Sequence, residues 1–170
     1  MEYTDKLLQE ALMVSELWHR TQKYGDIFPY MKHINDVIEV LKRFDFKSNK
    51  LLIGAALHDI LEDTGLSYSD VKRYFGEEIA EMVYCVTDEL GRNRKEKKSK
   101  TLPKTASNPD AIILKLADRI ANIEHGGKID MYAKEYEEFR GVLFLNTPSY
   151  AQKMWVHLES LLKIDLIETK

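Results

Sequence analysis

The stretch Leu51-Leu52-Ile53-Gly54-Ala55-Ala56-Leu57-His58-Asp59-Ile60-Leu61-Glu62-Asp63-Thr64 decides the reading of this chain. Its first half is apolar on nearly every side, as in a helix buried all round. A histidine and three acids then follow within six residues. Side chains three and four apart share a helical face, so Glu62 falls below His58 and Asp59, and Asp63 below Asp59. Burying a lone carboxylate is costly unless a partner or a metal compensates. A cation is therefore expected among these acids, and a metal ion is the simplest one.

Outward from that helix, the rest of the chain reads as all-α. Only eight glycines and four prolines interrupt 170 residues, and no strand-like alternation persists. Thr4 or Asp5 caps a first helix that ends near Gln22. The Gly, Asp and Pro content of 23–30 marks a loop. A second helix is expected at about 30–44, the central one from a Ser48 or Asn49 cap to Thr64, then helices at 67–74 and 77–89. The charged segment 92–100 reads as helix or lid. Asn108-Pro109-Asp110 supplies a cap, a proline at the first position and an acid in the first turn of a helix that Gly126-Gly127 ends. Helices at about 131–145 and 149–164 follow, and Met154, Trp155, Leu158, Leu161 and Leu162 of the last are expected to pack inside rather than form a dimer face.

Hydrophobic residues make up 44% of the chain and charged ones 31%, which suits one domain over 1–170 with a real core. A net charge of −3 excludes a general polyanion binder, so any basic patch is local. The one cysteine, Cys85, rules out an internal disulfide, fits a reducing compartment and sits among apolar residues as a buried structural thiol. No apolar run approaches the ~20 residues that cross a bilayer. The N-terminus has no signal pattern. A cytoplasmic protein without a membrane partner is expected, and its oligomeric state is left open.

His33, His58, Asp59 and Asp118 form the candidate metal set, brought in by three helices of a bundle. Singly, His33 and Asp118 read as packed or surface residues. The His58-Asp59 pair followed by Glu62-Asp63 does not read as a solvated face. Two imidazoles and two carboxylates suit manganese, iron or zinc better than calcium, and lack the thiolates of structural zinc. Glu62 and Asp63 exceed one ligand shell and are left for acid–base work on water or a leaving oxygen. Asn122, four residues beyond Asp118, either faces the same pocket or bonds the helix end. Residues 92–104 carry seven basic side chains against Glu96. They are a solvated face, or Arg94, Lys97, Lys98 and Lys104 neutralise substrate phosphates. Aromatics for stacking nucleic-acid bases are missing, so a small phosphorylated molecule is the expected partner.

These residues resemble a known family. His33, the His58-Asp59 dyad and Asp118 are similar to the H…HD…D signature of HD-type metal-dependent phosphohydrolases. Pro29-Tyr30-Met31-Lys32-His33, Leu57 to Thr64, Phe75-Gly76, Val86-Thr87-Asp88 and Lys115-Leu116-Ala117-Asp118-Arg119-Ile120-Ala121-Asn122 resemble the hydrolase domain of RelA/SpoT-type enzymes and stand-alone small alarmone hydrolases. The resemblance covers about 5–125, with 128–165 as a helical completion. It implies an all-α HD-domain bundle of about eight helices around Mn2+ held by His33, His58, Asp59 and Asp118. It also implies Glu62 and Asp63 acting on the attacking water and leaving group, and release of the 3′-pyrophosphate from ppGpp and pppGpp. No synthetase domain is expected within these residues. Family members carry an Arg-Lys pair in the loop before the Pro-Tyr. Here the loop is Lys23-Tyr24-Gly25-Asp26-Ile27-Phe28, shorter and without the arginine; Lys23 and Tyr24 are the candidate substrate contacts, with Tyr24 placed to stack on a base. Two other readings stand beside the alarmone one: a phosphohydrolase on another nucleotide such as NADPH, and a non-catalytic module that binds nucleotide or protein.

Overall fold

The computed structural model describes residues 1–164, so the end of the expected completion, residue 165, lies outside the described residues. Ten α-helical segments follow one another: α1 (Asp5–His19), α2 (Met31–Arg43), α3 (Asn49–Leu57), α4 (Ile60–Asp63), α5 (Tyr68–Phe75), α6 (Glu77–Val86), α7 (Arg94–Ala106), α8 (Pro109–Glu124), α9 (Ile129–Leu143) and α10 (Gln152–Leu162). Two strands of two residues each, β1 (Lys23–Tyr24) and β2 (Phe28–Pro29), pair antiparallel between α1 and α2.

The capping chemistry is local. Thr4 Oγ1 accepts from the Leu7 N–H, Ser48 Oγ from Leu51, and Asn108 Oδ1 from both Asp110 and Ala111. Ser67 and Asp70 close a reciprocal capping box on α5. The segment expected as helix or lid is a helix, α7, opened by Asn93. Together with the division of the expected central helix into α3 and α4, it accounts for the two segments beyond the eight expected.

The core forms around α3 and α8. All of residues 51–57 are buried, and so are Ile112, Ile113, Leu116, Ala117 and Ile120 of α8. α3 packs on α1, α2 and α6, and α8 on α2, α6, α7 and α10. Gly54 allows the closest of these approaches. A Cβ there would lie 2.4 Å from Met82 Sδ. Met154, Trp155, Leu158 and Leu162 of α10 are buried as expected, with Leu161 partly so. Cys85 is buried. None of the helices is long and apolar enough to cross a membrane, among the described residues.

The loop expected at 23–30 is tighter than a plain loop. Gly25 takes φ +60°, a left-handed turn that glycine adopts freely. The resulting hairpin folds Tyr24 over the ends of α2 and α8.

Candidate active site

Consecutive side chains on an unbroken helix diverge, so His58 and Asp59 could not both aim at one point. The chain breaks there. Asp59 takes φ −99° and ψ 1°, in the sparsely allowed bridge region. Its Oδ2 then lies 2.9 Å from His58 Nε2. The expected continuous helix through Asp63 is thus corrected to α3, a break, and one turn of α4. Asp59 O still accepts from the Glu62 and Asp63 N–H groups, which starts α4 afresh.

His58 Nδ1 donates to Ala55 O at 2.8 Å, which aims Nε2 at the centre. From α2, His33 brings its own Nε2 to 3.1 Å from that of His58. From α8, Asp118 Oδ1 lies 3.3 Å from His33 Nε2 and 3.9 Å from His58 Nε2. Adjacent ligands at 2.0–2.2 Å from one ion stand ~2.8–3.6 Å apart in octahedral or tetrahedral geometry. All the separations here fall in that range except His58 to Asp118, which is slightly longer, and His33, His58 and Asp118 make a group able to hold a metal. The residues fit a divalent ion.

The electrostatics agree. Burial alone would push the His33 imidazolium to lower pKa, but the Asp118 and Asp59 carboxylates outweigh it and lift the group to about 10. Burial pushes the Asp59 and Asp118 carboxyls up. The two imidazoles, with Lys115 beside Asp118, hold both below the usual carboxylate range. His33 Nδ1 is buried without a hydrogen-bond partner among the described residues.

A pocket of about 210 Å3 opens beside this cluster. Asp59, Glu62, Asp63, Asp88 and Asp118 line it against Arg94, Lys98, Lys115 and Arg119. Such a wall does not attract a polyanion by itself; a divalent ion changes the balance. Glu62 Oε2 accepts from the Asp88 N–H at 3.0 Å. Burial raises the Glu62 carboxyl above the ordinary glutamate value, against the pull of that N–H. Lys115 Nζ donates to Val86 O at 3.0 Å and sits 3.6 Å from Asp118 Oδ2.

Of the expected substrate contacts, Tyr24, Arg94, Lys98 and Asn122 line the pocket. Each is already engaged. Tyr24 Oη donates to Asn122 Oδ1 at 3.1 Å, and Asn122 Nδ2 donates to Asp118 Oδ1 at 2.6 Å. The Tyr24 ring lies 4.8 Å from that of His33 and 4.4 Å from that of His125. Arg94 pairs with Glu135, and Lys98 holds Asp88 at 2.7 and 2.9 Å. Lys23, Lys97 and Lys104 are off the pocket wall. Lys23 is exposed on β1. The inward face of α7 is Lys98, Thr101, Leu102 and Thr105, so Lys97 is turned aside. Lys104 is spent on Thr87 O at 3.0 Å and Glu89 at 2.5 Å.

Several residues at or beside the pocket are not among the expected site residues. Tyr30 Oη donates to Asp59 Oδ2 at 2.5 Å, and Gln22 Nε2 to Asp63 Oδ2 at 2.6 Å. Tyr132 lines the pocket with Arg119. The Lys115-x-x-Asp118 spacing was a readable signal for one of them.

Residues 11–137 match the HD domain family. The chain belongs to the HD-domain family. This HD domain is 31% identical over 125 residues to the guanosine-3′,5′-bis(diphosphate) 3′-pyrophosphohydrolase of Drosophila melanogaster, covering 71% of this chain and 70% of the relative. It is 34% identical over 122 residues to the enzyme of the same name from Aquifex aeolicus, covering 69% of this chain but only 17% of that longer relative. A solved structure, described as a metazoan ortholog of SpoT that hydrolyzes ppGpp, is similar at a TM-score of 0.77 and 25% identity, over 94% of this chain and 97% of the other chain.

Proposed function

We propose that this HD domain hydrolyses guanosine 3′,5′-bis(diphosphate)-type alarmones, releasing the 3′-pyrophosphate with the help of a divalent metal, Mn2+ by its resemblance to the RelA/SpoT-type hydrolases. The observation that carries it is the convergence of His33, His58, Asp59 and Asp118 from three helices, with Glu62 and Asp63 one turn away. The similarity to two named 3′-pyrophosphohydrolases supports the substrate.

His33, His58, Asp59 and Asp118 would hold the ion, which would supply a Lewis acid to lower the pKa of water and draw charge from the phosphoryl group. Asn122 and Tyr24 keep Asp118 in its rotamer, and Tyr30 does the same for Asp59. Glu62, its carboxyl raised by burial, suits the base that orients the attacking water. Asp63 at the pocket mouth attends the leaving oxygen. Lys98 and Arg94 face the departing charge, Lys98 from a side chain that is 10% exposed. The whole described chain forms the domain, because Phe139 and Trp155 from α9 and α10 pack together at 5.4 Å inside the core that carries α8. A cytoplasmic location goes with such a substrate.

Product analysis with manganese tests it, on ppGpp, pppGpp, NADPH and simple nucleotides, with Asp59→Ala as control. Pyrophosphate from ppGpp, lost in the variant, is the expected result. Phosphate from NADPH or another nucleotide would keep the chemistry and overturn the substrate. No turnover of any of them would leave a binding module.

A further inference from the structure

Behind α4 runs a short chain of polar groups outside the metal cluster. The Gln22 side chain lies 2.6 Å from Asp63 Oδ2 through Nε2 and 2.7 Å from His19 Nδ1 through Oε1. Chemistry fixes the directions. An ionised carboxylate only accepts, so the Gln22 nitrogen faces Asp63 and its oxygen faces His19. That oxygen only accepts as well, so His19 carries its proton on Nδ1. His19 Nε2 is buried with no partner among the described residues.

Every part of this chain is held except the acid at its end. His19 is 2% exposed, and its ring stacks on Tyr30 at 4.7 Å and 26°. The Gln22 N–H donates to His19 O at 2.8 Å, and Gln22 O accepts from the Tyr30 N–H at 3.2 Å. Asp63, by contrast, is exposed at the last position of a four-residue helix. Packing does not set its rotamer.

We propose that Gln22, locked by His19, is a positioning residue that holds the Asp63 carboxylate by one oxygen and leaves the other for the reaction. The inference rests on the reading of Asp63 as an acid–base group. Gln22 itself touches no reacting atom. Its effect is on the geometry of the group that does, where small displacements cost up to about a hundredfold in rate.

The test is a double-mutant cycle on turnover. Gln22→Met keeps the length and removes the amide. Its kcat should fall about tenfold to a hundredfold, with KM within about twofold and with manganese content and melting temperature unchanged. In an Asp63→Asn background the same change should cost nothing further, because coupled residues are not additive. An equal loss in both backgrounds, or a Gln22→Met kcat within about twofold of wild type, overturns the proposal. If Asp63→Asn is too slow to measure, a second cycle pairs Gln22→Met with His19→Phe, which keeps the stack on Tyr30 and deletes the N–H. Neither change removes a catalytic group, so both remain measurable. Non-additive losses support the chain, and additive ones overturn it. The wild-type enzyme separates this inference from the substrate reading: if it cleaves another ester of the panel and not ppGpp, the cycles run on that ester and test the positioning role alone. No turnover of any ester overturns both.

Discussion

Asp88 accepts from Lys98 Nζ at 2.7 and 2.9 Å, while its backbone N–H holds Glu62 Oε2 at 3.0 Å. Burial pushes the Asp88 carboxyl up, but the Lys115 and Lys98 ammonium groups outweigh it and leave the group below the usual carboxylate range. The gain is one-sided, since burial beside Lys115 pushes Lys98 down. A carboxylate lowered on folding adds stability that is fully present above its unfolded pKa of ~3.9 and is lost as pH falls through the folded value. Asp88→Asn should therefore cost about 2 kcal/mol at pH 7. Thermal unfolding along a pH series should show the gap to wild type narrowing below about pH 4. A gap independent of pH would contradict the charge argument. At this scale, adjacency decided what the sequence could tell. His58-Asp59 and Glu62-Asp63 are legible because they stand side by side on an apolar run. Gln22 and Asp63 are 41 positions apart, and Tyr30 and Asp59 are 29 apart, so only the packing of α1, α2 and α4 brings them together. Lys104 misled for the opposite reason: its charge was visible, and the Glu89 that consumes it was not recognisable as its partner.

Helix α8 carries Asp118, Arg119 and Asn122 from a start fixed by Asn108, whose Oδ1 accepts from two N–H groups at 3.0 and 3.1 Å. The cap lies three turns from the chemistry. Asn108→Ala should cost about 1 kcal/mol and roughly 2–4 °C in melting temperature, with kcat unchanged; a loss of kcat at full stability would show that the helix start also tunes the site. Helix starts of this kind were legible because the cap, the proline and the acid are contiguous. The break after Leu57 was not. Periodicity sees a run of helix-compatible residues and continues through it, whereas the break exists because two consecutive side chains close on one point in space. The β1–β2 hairpin was equally hidden, since two-residue strands leave no alternation to detect.

Across the whole molecule, the candidate ion joins α2, the α3–α4 break and α8, and adds to the apolar packing, the hydrogen bonds and the Arg43–Glu124 ion pair that hold these parts together. An ion that binds the folded chain alone stabilises it by about 4 kcal/mol at a thousand times its Kd. Manganese added to the chelator-treated protein should raise the melting temperature by roughly 8–16 °C at that excess, and Asp118→Ala should abolish the rise. An equal rise in the variant would move the ion elsewhere. The all-α class and the order of the helices were readable across this scale because each helix has its own apolar face and its own punctuation. The α3–α4 break also divides how the protein can vary. Seven of the nine residues of α3 are buried, whereas α4 buries Ile60 and turns Glu62 and Asp63 outward. Inherited changes in the first fall on folding and are removed with it. Changes at those two acids fall on rate and selectivity, so a lineage can retune or silence the reaction at the end of one short turn while keeping a sound scaffold.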